Sequence, residues 1–134
     1  GCQIFQAAWD WAAATRGQAA NAATAEPAAS SAAFPPLSAK PIAHAEIPLA
    51  TGMDISQDGR RAIIVSYLGG YEWTRRDGED WAAALARPPR FLPLPIRSQG
   101  EAICYGADDR SLYLTSEGRS QPLWLIPAQK TAGP

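Results

Sequence analysis

Ile55-Ser56-Gln57-Asp58-Gly59-Arg60-Arg61-Ala62-Ile63-Ile64-Val65-Ser66 is a short apolar start, an Asp-Gly turn and a β-branched run. About 50 residues later, Ile103-Cys104-Tyr105-Gly106-Ala107-Asp108-Asp109-Arg110-Ser111-Leu112-Tyr113-Leu114-Thr115-Ser116 repeats that order. Asp-Gly suits a tight reversal, because glycine takes positive φ at little cost and aspartate bonds its own turn backbone. Self-similarity at this period, built from short strands and tight turns, marks a repeated antiparallel sheet rather than a helical array.

The flanks extend each unit. Ile42 to Leu49 alternates weakly and reads as an edge strand, with Pro48 near its end. Met53–Ser56 and Ala62–Leu68 pair across the first turn. Ala62–Tyr67 is nearly continuous in apolar character, as in a strand buried on both faces. Gly69-Gly70 reads as a second turn, and Tyr71–Thr74 as a strand with Tyr and Trp alternating against Glu and Thr. Glu79–Leu85 reads as a short inserted helix, capped by Asp77 or Asp80 and ended by Pro88-Pro89. Phe91–Pro95 returns as an edge strand. In the second unit, Glu101–Tyr105 pairs with Ser111–Ser116, and Leu123–Ile126 is the third strand.

The amino-terminal part is different in kind. Ile4, Ala8, Trp11 and Thr15 fall on one line at i, i+3/i+4 spacing, which predicts an amphipathic helix within residues 1–17. Residues 18–40 are rich in Ala, Ser, Thr and Pro and have few large apolar side chains, so they read as a linker that buries too little to offset its ordering entropy. Residues 41–127 hold the two repeats and 128–134 a polar tail. The fold class is therefore mainly β: two antiparallel propeller-like blades, an N-terminal helix and a short inserted helix. With 134 residues the chain cannot close a propeller, which leaves a piece of a larger protein or a small open sheet with a covering helix; isolated blades are expected to self-associate through exposed strand edges.

Charge narrows the partners. Lys plus Arg is 12 and Asp plus Glu 13, so no basic field draws in nucleic acid. No run of about 20 apolar residues is present, so no membrane-spanning helix is expected, and no signal peptide is visible at the start. Cys2 and Cys104 leave two readings: one disulfide, or a terminal thiol and a thiol buried in a strand between Ile103 and Tyr105.

The turn Ile55-Ser56-Gln57-Asp58-Gly59-Arg60-Arg61 resembles the Ile-Ser-Pro-Asp-Gly-Arg-Arg turn of WD-like repeats in bacterial secreted and periplasmic β-propellers, with Gln57 in place of proline. Together with Thr51–Ser56, Gln99–Ile103 and Leu112–Gly118, it is similar to the carboxy-terminal blades of the phytase-like and esterase-like group, over about residues 42–127. The resemblance implies a secreted or periplasmic location. It also implies carboxylates gathered at one rim, Asp54, Glu101 and Glu117, as ligands of a calcium ion, which takes six to eight oxygens. The plain alternative is that these three acids are polar strand ends.

Catalytic sets are hard to assemble. His44 is the only histidine, and Ser66 and Ser116 lie outside any Gly-x-Ser-x-Gly elbow. One histidine and two distant cysteines lack zinc spacing. The expected function is a non-catalytic binding or scaffold module that takes a protein or small-molecule ligand at the blade rim. The alternative is a segment of a calcium-dependent, phytase-like phosphoesterase.

Overall fold

A computed structural model describes residues 1–6 and 38–128. The chain divides into two compact units, Gly1–Ile4 with Ile42–Pro134, and Phe5–Pro41. Few residues of the second unit are described, and the fold that follows is that of the first.

The described residues are mainly β, with antiparallel pairing throughout the two main sheets. Strands β1 (Cys2–Gln6) and β2 (Lys40–Ala45) form a two-stranded sheet. A four-stranded meander follows: β3 (Ala50–Ile55), β4 (Arg61–Ser66), β5 (Gly69–Thr74) and β6 (Arg90–Leu92), in that spatial order. A three-stranded meander then runs β7 (Ala102–Tyr105), β8 (Leu112–Thr115), β9 (Trp124–Ile126). Helix α1 (Trp81–Leu85) connects β5 to β6.

The two Asp-centred turns are built from the same bonds, 50 residues apart. The Ser56 amide donates to the Arg61 carbonyl at 2.9 Å, and the Gly106 amide to that of Ser111 at 2.8 Å. Gly59 N–H reaches Ser56 O at 2.8 Å, as Asp109 N–H reaches Gly106 O at 3.0 Å. Asp58 Oδ1 accepts from the Arg60 amide at 2.8 Å, and Asp108 Oδ1 from the Arg110 amide at 3.1 Å. The residue after each aspartate is left-handed, Gly59 at φ 68° and Asp109 at φ 57°. Aspartate is one of the few non-glycine residues that tolerate this region.

The central strand β4 is buried on both faces, as its sequence predicts. Ile64 packs with Ile4, Ala45, Ile47, Trp73 and Leu85 on one side. Ile63 and Val65 pack with Ile103, Leu112 and Leu114 on the other. The second cluster holds the two meanders together.

Four local expectations are corrected. Residues 4–6 of the expected amino-terminal helix lie in β1, where Ile4 is buried and Phe5 exposed, the period-two pattern of a strand against the core. The rest of that helix, and all but the end of the 18–40 linker, lie outside the described residues. Gly69 and Gly70 belong to β5, and the reversal falls on Tyr67-Leu68 instead. Gly69, at φ 153°, sits where an added Cβ would lie 2.6 Å from the Phe91 ring, so β6 demands the glycine that looked like a turn signal. The strand from Ile42 ends at Ala45, ahead of Leu49 at φ 55°. Cys104 is exposed rather than buried, because Ile103 takes the inward position on β7, and both cysteines are free.

Candidate functional site

The site grows from the way β3 lies beside β7. The hydroxyl of Thr51 donates to the Gly100 carbonyl at 2.9 Å. Gly52 comes so close to the Glu101 carbonyl that an added Cβ would lie 2.6 Å away. The amide of Tyr105 donates to Asp54 Oδ2 at 2.8 Å, and that of Asp58 to Asp109 Oδ1 at 3.0 Å. Partners separated by 49 to 51 residues stay in step from one end to the other, so the two strands run in the same direction. They belong to different sheets, and their alignment opens a cleft between the sheets.

At the heart of the cleft is Glu72. It sits on β5 opposite Ile63 and is only 5% exposed. Its Oε2 accepts from Arg90 at 2.7 Å, with Arg61 at 3.7 Å. Its Oε1 accepts from the Tyr105 hydroxyl at 3.0 Å. A buried carboxylate needs such partners, since burying a bare charge is costly. Burial, then the negative charge and hydrogen bond of Glu72, push the Tyr105 phenol far above its ordinary pKa, so it remains a donor.

Around this group the cleft encloses about 250 Å³, lined by Arg61, Glu72, Arg90 and Arg110 together with Leu92, Leu94, Leu112 and Ile126. A second recess of about 320 Å³ shares Arg61 and Arg110 and runs along the turns, past Asp58, Arg60, Asp108 and Asp109. The turn aspartates are committed to structure. Asp58 is held below the usual carboxylate range first by the Ser56 hydroxyl at 2.7 Å, and Asp108 first by the Ser111 hydroxyl at 2.6 Å. The serine stands before the turn in one unit and after it in the other, with the same effect.

The three expected calcium ligands are placed as follows. Asp54 is on β3, level with Tyr105, whose amide it accepts. Glu101 precedes β7, level with Gly52, and its Oε1 accepts from the Tyr67 hydroxyl at 3.0 Å. Glu117 follows β8, and its amide donates to Gln99 O at 3.0 Å. Glu101, mainly through its hydrogen bond, and more weakly Glu117 raise the Tyr67 pKa. Asp54 acts on Tyr105 instead. Among the described residues no three His, Cys, Asp or Glu side chains converge as metal ligands. None of the described helices is long and apolar enough to cross a membrane.

Sequence reading missed Glu72, Tyr105 and Arg90. Alternation in β5 sets Glu72 with Thr74 on the face opposite Tyr71 and Trp73, and says nothing of what covers it. The second sheet covers that face, and strand periodicity carries no record of such a cover. A single carboxylate within an otherwise apolar strand, Tyr71-Glu72-Trp73, is the signal that was available. No protein-family model, no curated protein and no solved structure matches this chain.

Proposed function

We propose that the two meanders are consecutive propeller-type blades, and that they form a non-catalytic binding module whose ligand enters the cleft between them. The observation that carries this reading is the in-step alignment of β3 with β7, from Thr51–Gly100 to Asp58–Asp109. Innermost strands of neighbouring blades run side by side in this way around a propeller channel. A repeat of about 50 residues fits the same architecture.

The competing reading is a calcium-dependent phosphoesterase. Calcium takes six to eight oxygens, whereas Asp54 is engaged by the Tyr105 amide and Glu101 by the Tyr67 hydroxyl. Those engagements favour the binding reading. Two measurements on one sample test it. Nuclear Overhauser contacts between Thr51 and Gly100, and between Asp54 and Tyr105, are expected. Hydrolysis of p-nitrophenyl phosphate that depends on calcium and disappears in Glu101→Gln would overturn the non-catalytic assignment; absence of those contacts would overturn the blade pairing.

A further inference from the structure

We infer that the cleft beside Glu72 binds a small organic carboxylate with an apolar body, through Arg110 at the mouth and Leu94 and Ile126 on the lining. The argument begins with charge. Three guanidinium groups, Arg61, Arg90 and Arg110, line the cleft with one carboxylate, Glu72. Glu72 is already occupied: one oxygen takes Arg90 and the other takes the Tyr105 hydroxyl. Arg61 stands 3.7 Å from the same carboxylate. Arg110 makes no ion pair among the described residues, and its side chain borders both recesses. The lining therefore carries an excess of positive charge around a space that water and a small ligand can enter.

Shape and polarity then select within the anions. Leu92, Leu94 and Ile126, all half-buried, supply apolar surface next to the guanidinium groups. Pockets that join an apolar lining to a few converging polar groups suit ligands with the same division. A planar carboxylate matches the fork of a guanidinium in geometry as well as charge. A bare inorganic anion would leave the leucine and isoleucine surface in water, and a neutral apolar molecule would leave Arg110 without an acceptor. The inference rests on the binding-module reading and adds the class of ligand.

Phenylacetate is the probe, titrated into the whole chain and followed by amide proton–nitrogen correlation spectra. Saturable shifts are expected at Arg110, Leu112, Leu94 and Ile126, with affinity falling as salt is raised. Arg110→Gln should bind about tenfold more weakly, the size expected for losing one hydrogen-bonded charge at an accessible site. Arg110 is exposed and holds no buried partner, so the unliganded spectrum of this variant should match the parent away from the turn. Acetate should bind more weakly than phenylacetate, and 2-phenylethanol should not shift these amides. The inference fails if phenylacetate gives no saturable shifts there, if Arg110→Gln binds as well as the parent, or if acetate binds equally well. Such failure leaves the Thr51–Gly100 contact untouched, whereas failure of the blade pairing removes it.

Discussion

Replacing Tyr105 with phenylalanine tests whether the two sheets are joined as described. The hydroxyl of Tyr105, on the second sheet, donates to Glu72 on the first at 3.0 Å. Its loss leaves Glu72 Oε1 without that donor, on a residue that is 5% exposed. Hydrogen bonds to charged groups contribute about 1.5–3 kcal/mol, and an orphaned buried acceptor costs a similar amount. The cleft beside Glu72 is open to solvent on one side, so water can take the hydroxyl's place and pull the value to the lower end of that range. The expected loss is about 1.5 kcal/mol, or roughly 6–12 °C in Tm for a unit of about a hundred residues. Urea unfolding of the parent, Tyr105→Phe, Glu72→Gln and the double variant closes a cycle. A coupling of about 1 kcal/mol or more between the two positions is expected. Additive effects, or a Tyr105→Phe variant as stable as the parent, would refute the claim that this pair ties the sheets together.

Three further outcomes follow from local geometry. Gly59→Val should destabilise by about 1 kcal/mol or more, because φ there is 68° and an added Cβ meets Arg75 Nη2 at 3.2 Å; chemical denaturation reads the loss. Asp80→Ala removes the cap that accepts the Ala83 amide at 2.7 Å on α1, and should cost about 1 kcal/mol in the same assay. Glu79 is held at about 2, below its ordinary 4.5, first by its hydrogen bond to Arg87. A lowered carboxylate stabilises the fold above its unfolded pKa and loses that contribution as pH falls through the folded one. Stability should therefore decline from about pH 4.5 towards pH 2, and Glu79→Gln should flatten that part of the profile.

Legibility followed the range of the interaction. The Asp-centred turns were readable because every bond that defines them lies within six residues, Ser56 to Arg61 and Gly106 to Ser111. The doubly buried β4 was readable from its unbroken apolar run. The helix at Trp81 was readable from Asp80 and from the prolines beyond it. The strand at Cys2–Gln6 was not, because the helical spacing of Ile4, Ala8 and Trp11 competes with burial against β4, a contact some 60 residues away. The cleft was the least legible feature. Its lining brings Arg61 and Arg110 together, and behind it Glu72 bonds Tyr105 across the sheets, pairings that depend on the register between β3 and β7.

The repeat also misleads at one level while informing at another, and Ile63 and Tyr113 show why. They occupy equivalent places, each the middle partner of a cross-strand triplet: Asp54, Ile63 and Glu72 in the first sheet, Cys104, Tyr113 and Leu125 in the second. Ile63 is fully buried because the second sheet lies on that face, whereas Tyr113 is 36% exposed and Leu125 54%. A repeated sequence encodes its own hairpin, but burial depends on the neighbour that each copy receives. The reading of a thiol buried between Ile103 and Tyr105 is reversed, since Cys104 is exposed, whereas Glu72, which alternates with Tyr71 and Trp73, is buried. The side chains themselves register the difference. The covered face holds two carboxylates, each with a donor: Asp54 takes the Tyr105 amide, and Glu72 takes Arg90 and the Tyr105 hydroxyl with Arg61 nearby, while the open face carries a tyrosine whose hydroxyl tolerates water. Among the described residues the two copies therefore diverge along the interface that they share, where the first turns Ile63 and Glu72 towards the second.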